Sequence, residues 1–185
     1  GGLITIPAFL FAGFAPAQAL ATNKCQAFAG TLTAALRLIT SGHIKIRSLW
    51  PYALLAFVMA LTGAWGLREV SDADWLDRVV PILLLAAATY FGLVRMPETV
   101  VEKTPTFGML ALVGVALIGF YDGFFGPGTG SLFALLMISV LGLGLREATI
   151  HAKLFNAMTN MAAFLVFATS DLVVWLAVMV MIPAQ

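Results

Sequence analysis

Long apolar blocks limit what this chain can fold into more than any other feature. Leu49 to Leu67 and Val79 to Val94 contain no charged residue, and Phe107 to Phe125 contains only Asp122. A helix of about 20 apolar residues crosses the roughly 30 Å hydrocarbon layer of a bilayer, where a single segment can satisfy its own backbone only as a helix. Charged residues make up 10% of the 185 positions and hydrophobic residues 61%. Soluble domains carry about 25% charged residues, so a water-facing surface cannot be built from this sequence. The expectation is an all-α, polytopic transmembrane bundle surrounded by the lipid bilayer.

The net charge is +1 and no Lys/Arg cluster is present. The basic footprint of a nucleic-acid binder is therefore missing, and no nucleic-acid partner is expected. A single cysteine, Cys25, excludes an internal disulfide and cannot by itself build a thiolate metal site. It reads as a small buried apolar side chain. Neither a cofactor nor a metal is expected. The chain opens on Gly1-Gly2 and stops at Gln185 shortly after an apolar segment has begun, the pattern of a segment that lacks both ends.

Along the chain, Leu3 to Phe14 is apolar but too short to span, and Pro7 is expected to interrupt it. Ala19 to Thr40 is long enough, yet it carries Thr22, Asn23, Lys24, Gln26, Thr31, Thr33 and Arg37, which a lipid-facing helix would not. Trp50 and Tyr52 open the next span and suit a membrane interface. Residues 68–78 read as an exposed acidic loop, and 95–106 as the longest break. The apolar run ending at Phe125 meets Gly126-Pro127-Gly128-Thr129-Gly130, which must break a helix. Ser131 to Leu143 is a second short half-helix, Ala148 to Thr169 a polar-dotted span, and Leu172 the start of another.

This order of parts occurs twice. A shift of 129 positions (130 − 1) places Gly1 on Gly130, Gly13 on Gly142, Ala19 on Ala148, Lys24 on Lys153 and Thr40-Ser41 on Thr169-Ser170. The expected organisation is two related repeats, residues 1–106 and 107–185, each with a glycine-broken half-helix followed by a lysine-bearing helix. Matched breaks in two halves point to a transporter's central site. Free N–H groups and the positive dipole end of a broken helix need a partner inside a membrane, and a bound anion supplies one. Close helix packing around the glycines is the alternative.

Lys24 and Lys153 occupy the same repeat position, and a lysine within a span is costly unless it faces water, a partner or the headgroups. The functional reading is a positive charge that attracts a small anion. Lys153, Asn156 and Asn160 share a helix face at i, i+3 and i+7. Asn23, Gln26, Gly30, Thr33 and Arg37 form a similar stripe on the earlier helix. His151 is placed either to relay protons or to bond a carbonyl. Asp122 is placed to pair with Lys153, to bind a coupling proton, or to sit at the water boundary. Ser131 with His151 also allows an intramembrane Ser-His hydrolase, although the first repeat has Gly2 and Thr22 at those positions. A non-transporting scaffold is the other rival. Lys and Arg are shared evenly among the connections, so the positive-inside rule does not fix orientation.

Gly-Gly-Leu-Ile-Thr-Ile-Pro (1 to 7) followed by Ala-Leu-Ala-Thr-Asn-Lys (19 to 24) resembles the TauE/SafE sulfite exporter family. Gly-Phe-Tyr-Asp-Gly-Phe-Phe-Gly-Pro-Gly-Thr-Gly-Ser (119 to 131) and His-Ala-Lys-Leu-Phe-Asn (151 to 156) look like its YfcA-type branch. The resemblance covers nearly the whole chain but lacks the start of the first helix and the last helices of the family pattern. It implies a multi-pass permease of the bacterial inner (plasma) membrane, not an enzyme, associated with sulfite and organosulfonate anions. Carried over by position, it points to Gly1, Gly2, Thr22, Asn23 and Lys24 in one half. In the other half it points to Asp122, Gly126, Gly128, Gly130, His151 and Lys153. Asn156 joins them from the polar stripe, with Asp122 and His151 as proton-coupling candidates. A homo-oligomer is compatible with this reading.

Overall fold

A computed structural model describes residues 2–44, 46–93 and 108–182. Gly1, the connection at 95–106 and the boundary between 106 and 107 lie outside the described residues. Those described fold into eight helices: α1 (Gly2–Phe11), α2 (Pro16–Thr40), α3 (Ile46–Glu69), α4 (Leu76–Leu93), α5 (Met109–Phe124), α6 (Thr129–Leu141), α7 (Leu145–Phe167) and α8 (Trp175–Met181). The fold is an all-α bundle.

Two expectations about local structure change. Pro7 does not end α1, which runs through it to Phe11; a proline forfeits one backbone bond, and the remaining turns carry the helix on. The chain turns instead at Gly13, whose φ of +88° is the left-handed geometry that a side chain resists. Gly142, its counterpart under the 129-residue shift, ends α6 in the same way with φ +66°. The second change lies in the acidic segment 68–78, where helix takes both ends. α3 runs on to Glu69 and α4 begins at Leu76, leaving only residues 70–75 as the connection.

Element bounds recur at the same spacing. Adding 129 to Pro16 gives Leu145, the start of α7, and adding it to Ile46 gives Trp175, the start of α8. Packing recurs with them. α3 packs on α7 and α8 packs on α2, the same pairing of a third helix with the opposite unit's second helix, while α2 and α7 pack on one another. The third helices thus interlock the two halves.

Helices α3 and α4 contain segments, Leu49–Glu69 and Leu76–Leu93, that are long and apolar enough to cross a membrane. At 25 and 23 residues, α2 and α7 are longer than α4, with 18. They fall short on polarity alone, because their polar side chains turn inward. Lys24 is 3% exposed and Asn160 3%. The outer surface carries the apolar residues instead, among them Leu85, Met109, Leu117, Leu176 and Val180. This inside-out pattern belongs to a bundle whose solvent is lipid.

The α3–α5 contact shows how such a bundle is held. Ala56, Ala60 and Ala64 form a small-residue stripe on α3, each wholly buried. A side chain at Gly123 would strike the backbone of Ala60, and one at Gly119 that of Ala56. Lipid gives helices no hydrophobic reason to associate, so close backbone approach and dispersion take over.

Candidate functional site

Between α2 and α7 lies a cavity of about 630 Å³. Asn23, Lys24, Gln26, Ala27, Gly30, Thr31 and Ala34 line it from α2, and Lys153, Asn156 and Asn160 from α7. The helical period explains the choice. Asn23, Ala27, Gly30 and Ala34 follow one row at i, i+4, i+7 and i+11. Thr33 falls off that row and bonds the Ala29 carbonyl at 2.8 Å. Arg37 lies a turn beyond it, exposed near the end of α2. The polar stripe predicted through Thr33 and Arg37 therefore veers toward Thr31 and Ala34.

Both helix starts predicted to form the site reach this cavity. Gly2 brings the N-terminus of α1, and Gly126, Gly128, Thr129, Gly130 and Ser131 bring the break before α6. The two are neighbours, since a Cβ on Gly2 would lie 3.6 Å from the Pro127 backbone. Gly126 and Gly128 have φ of +90° and +80°. That left-handed pair lets the chain leave α5 and start α6 across the four residues 125–128. Gly126 is doubly constrained, because a side chain there would run into the Lys24 ammonium group. Tyr121 ties the break down by donating its hydroxyl to the Pro127 carbonyl at 2.8 Å.

Lys24 forms a buried ion pair with Asp122 of α5, the two side chains being 3% and 1% exposed. Pairing with Lys153 was one of the three roles open to Asp122 from the sequence; the structure pairs it with Lys24 instead. Among the described residues no second carboxylate lines this cavity beside Lys153. Lys153 stands exposed at the cavity wall. The repeat-related lysines are thus unlike in their surroundings, one neutralised and buried, the other free to contribute charge to the cavity.

Around the pair, Thr129 Oγ1 lies 2.6 Å from Asp122 Oδ1 and 2.6 Å from the Gly126 carbonyl, and Asn160 Oδ1 lies 3.4 Å from Lys24 Nζ. Thr5 donates to Asn23 Oδ1, joining α1 to α2. Asn160 Nδ2 reaches Thr31 Oγ1 at 3.4 Å, and these two residues are separated by 129 positions. Thr31, Thr129 and Asn160 were not singled out as site residues from the sequence. Thr31 and Asn160 superimpose under the repeat shift, and that signal could have found them.

Two predicted residues point elsewhere. Thr22 is buried and accepts a hydrogen bond from the Val174 backbone N–H at 3.0 Å, which pins the start of α8 to α2. His151, at the same repeat position, is two residues before Lys153 and so about 160° away around the helix. It does not line the cavity, and its Nδ1 is buried without a partner among the described residues. Ser131 lines the cavity while His151 does not, so no Ser-His pair is assembled there. Gly1 lies outside the described residues.

The lipid-facing bundle and its central polar cavity are the architecture of a membrane transporter. Comparison with known proteins gives the family. The family model described as "Sulfite exporter TauE/SafE" matches residues 1–185. A Sinorhizobium protein, "Probable membrane transporter protein ORF9", is 42% identical over 176 residues, covering 95% of this chain and 67% of its own length. "Probable membrane transporter protein YfcA" of Escherichia coli K12 is 38% identical over 186 residues, covering 100% of this chain and 69% of its own length. A "Probable membrane transporter protein" of Haemophilus influenzae is 35% identical over 176 residues, covering 95% and 69%. No solved structure matches. The chain belongs to the TauE/SafE family of membrane transporters and is not an enzyme.

Proposed function

We propose that this protein is a multi-pass permease of the bacterial inner membrane that moves a small oxyanion, sulfite or an organosulfonate, by alternating access. In this reading residues 1–106 and 107–185 act as two related repeats around one site. The observation that carries it is the shared lining of the cavity. Two helix starts, an exposed lysine and the amide side chains of Asn23, Asn156 and Asn160 converge on one space. N–H donors and cationic groups without a matching excess of carboxylates favour an anion. Gly126, Gly128 and Gly130 keep the backbone bare where the anion would approach, and Lys153 supplies charge. A volume of about 630 Å³ accommodates sulfite with its water or a small sulfonate. The family's description, a sulfite exporter, favours the same class.

Uptake of radiolabelled sulfite into proteoliposomes tests this. Wild-type protein is expected to carry sulfite faster than protein-free vesicles. Lys153→Gln is expected to lower uptake at limiting sulfite about tenfold or more, the scale of one charged hydrogen bond. Uptake of both sulfite and an alkanesulfonate no faster than in protein-free vesicles would exclude the reading.

A further inference from the structure

Asp122 is the least exposed charged residue described and also lines the cavity. Its two oxygens are used unequally. Oδ1 receives both Lys24 and Thr129, whereas Oδ2 is buried with no partner among the described residues. A buried carboxylate oxygen left bare is expensive. It is satisfied once it carries a proton and finds an acceptor in the cavity.

Resting on the anion-transport reading above, we propose that Lys24 and Asp122 form a proton-linked anion switch, in which Asp122 takes up one proton each time an anion occupies Lys24. The empty site is balanced at this pair, ammonium against carboxylate. An anion that moves from Lys153 at the exposed wall onto the buried Lys24 beside an ionised Asp122 would set two negative charges against that ammonium in a poorly screened space. Protonation at Oδ2 removes that conflict. The neutral acid keeps its Oδ1 contacts, and its new O–H is a donor beside the cavity that Asp122 lines. Lys24 has three N–H groups, of which Asp122 and Asn160 take two, so one remains for the anion. The balance is Asp122 carboxylate plus proton plus anion giving Asp122 acid hydrogen-bonded to anion. No covalent bond to carbon changes, and release on the far side reverses each step. For a monovalent anion, the site's net charge is the same empty and loaded.

The groups facing Asp122 are few. α2 presents Lys24, α7 presents Asn160 and the cavity-lining Lys153, and α6 presents Thr129. Tyr121 is its neighbour on α5 and is held by the Pro127 carbonyl. From α3 the face against Gly119 and Gly123 is Ala56, Met59 and Ala60, which do not titrate. Asp122 is therefore the one acidic side chain among the described residues at this cavity.

Tracer exchange at equal pH on both sides, of sulfite or, where sulfite is not carried, of an alkanesulfonate, first establishes transport; if wild type exchanges neither, both the transport reading and this inference fail. Uptake is then driven by an inward proton gradient in wild type and Asp122→Asn. Speciation of sulfite shifts both proteins alike, so the difference between them isolates Asp122. The gradient-dependent component is expected in wild type and lost in Asp122→Asn. Exchange that occurs in wild type with no gradient response, or an equal response in the variant, would overturn the switch and leave the transport reading standing. A measurement on wild type alone removes dependence on the variant's folding. Sulfite affinity, corrected for sulfite's own ionisation, should tighten about tenfold for each unit fall in pH where binding and protonation are linked one to one. A flat profile would overturn the proposal.

Discussion

Removing either partner of the Lys24–Asp122 pair strands the other as an unpaired charge, and the size of that penalty follows from their burial. With side chains 3% and 1% exposed, neither is readily solvated in place. Breaking a buried pair from one side costs about 3–5 kcal/mol, whereas replacing both members by neutral groups of similar size is often neutral. Lys24→Met keeps most of the lysine stem, and Asp122→Asn keeps an acceptor for Thr129. Because the cavity admits water, each single variant should fall near the lower end, about 3 kcal/mol. The double variant Lys24→Met/Asp122→Asn should lose less than either, giving a coupling of at least about 3 kcal/mol. Reversible unfolding in mixed micelles at rising denaturant reads all four proteins. A double variant whose loss equals the sum of the singles would refute the pair as a coupled buried unit.

Further outcomes test the surroundings of the site. Gly126→Ala places a side chain at φ +90° and into the Lys24 ammonium. It should carry strain of about 1–2 kcal/mol and lose sulfite uptake; wild-type melting and uptake would contradict the geometry. Thr22→Val removes the acceptor for the Val174 N–H, so stability should drop by about 1–3 kcal/mol. Uptake per folded molecule should be unchanged, because Thr22 does not line the cavity, and a selective loss of uptake would return Thr22 to the site. Cys25 is buried, so it should resist a membrane-impermeant maleimide until the protein is denatured, while Lys153→Cys labels in the folded state. The reverse order would contradict the exposures assigned to the two helices.

The apolar blocks announced a helical membrane bundle, and the repeat announced which helix starts would meet. The first was legible because lipid admits few backbone solutions, the second because the glycine breaks recur at a 129-residue spacing. The lysine partners were not legible. The same repeat position suggested equal roles for Lys24 and Lys153, but among the described residues only Lys24 is paired with a carboxylate. Surroundings therefore differ where the residues do not. Thr22 and His151 were drawn into the site by the family motif carried over position by position, yet one or two residues on a helix turn a side chain 100° to 200° away. Thr31 shows the converse: it was placed among ordinary polar residues of α2, although the 129-residue shift pairs it with Asn160, and the two meet at the cavity.

The central claim is that an oxyanion is held where the two helix starts and Lys153 converge. Selenite, the selenium analogue of sulfite, locates it directly through anomalous scattering from crystals of the complete protein grown with the anion. The account predicts a selenium peak inside the cavity, within hydrogen-bond reach of the Gly128–Ser131 backbone or of Lys153, and its loss in crystals of Lys153→Gln. No peak in this cavity, or one that persists unchanged in Lys153→Gln and lies away from both helix starts, would contradict it.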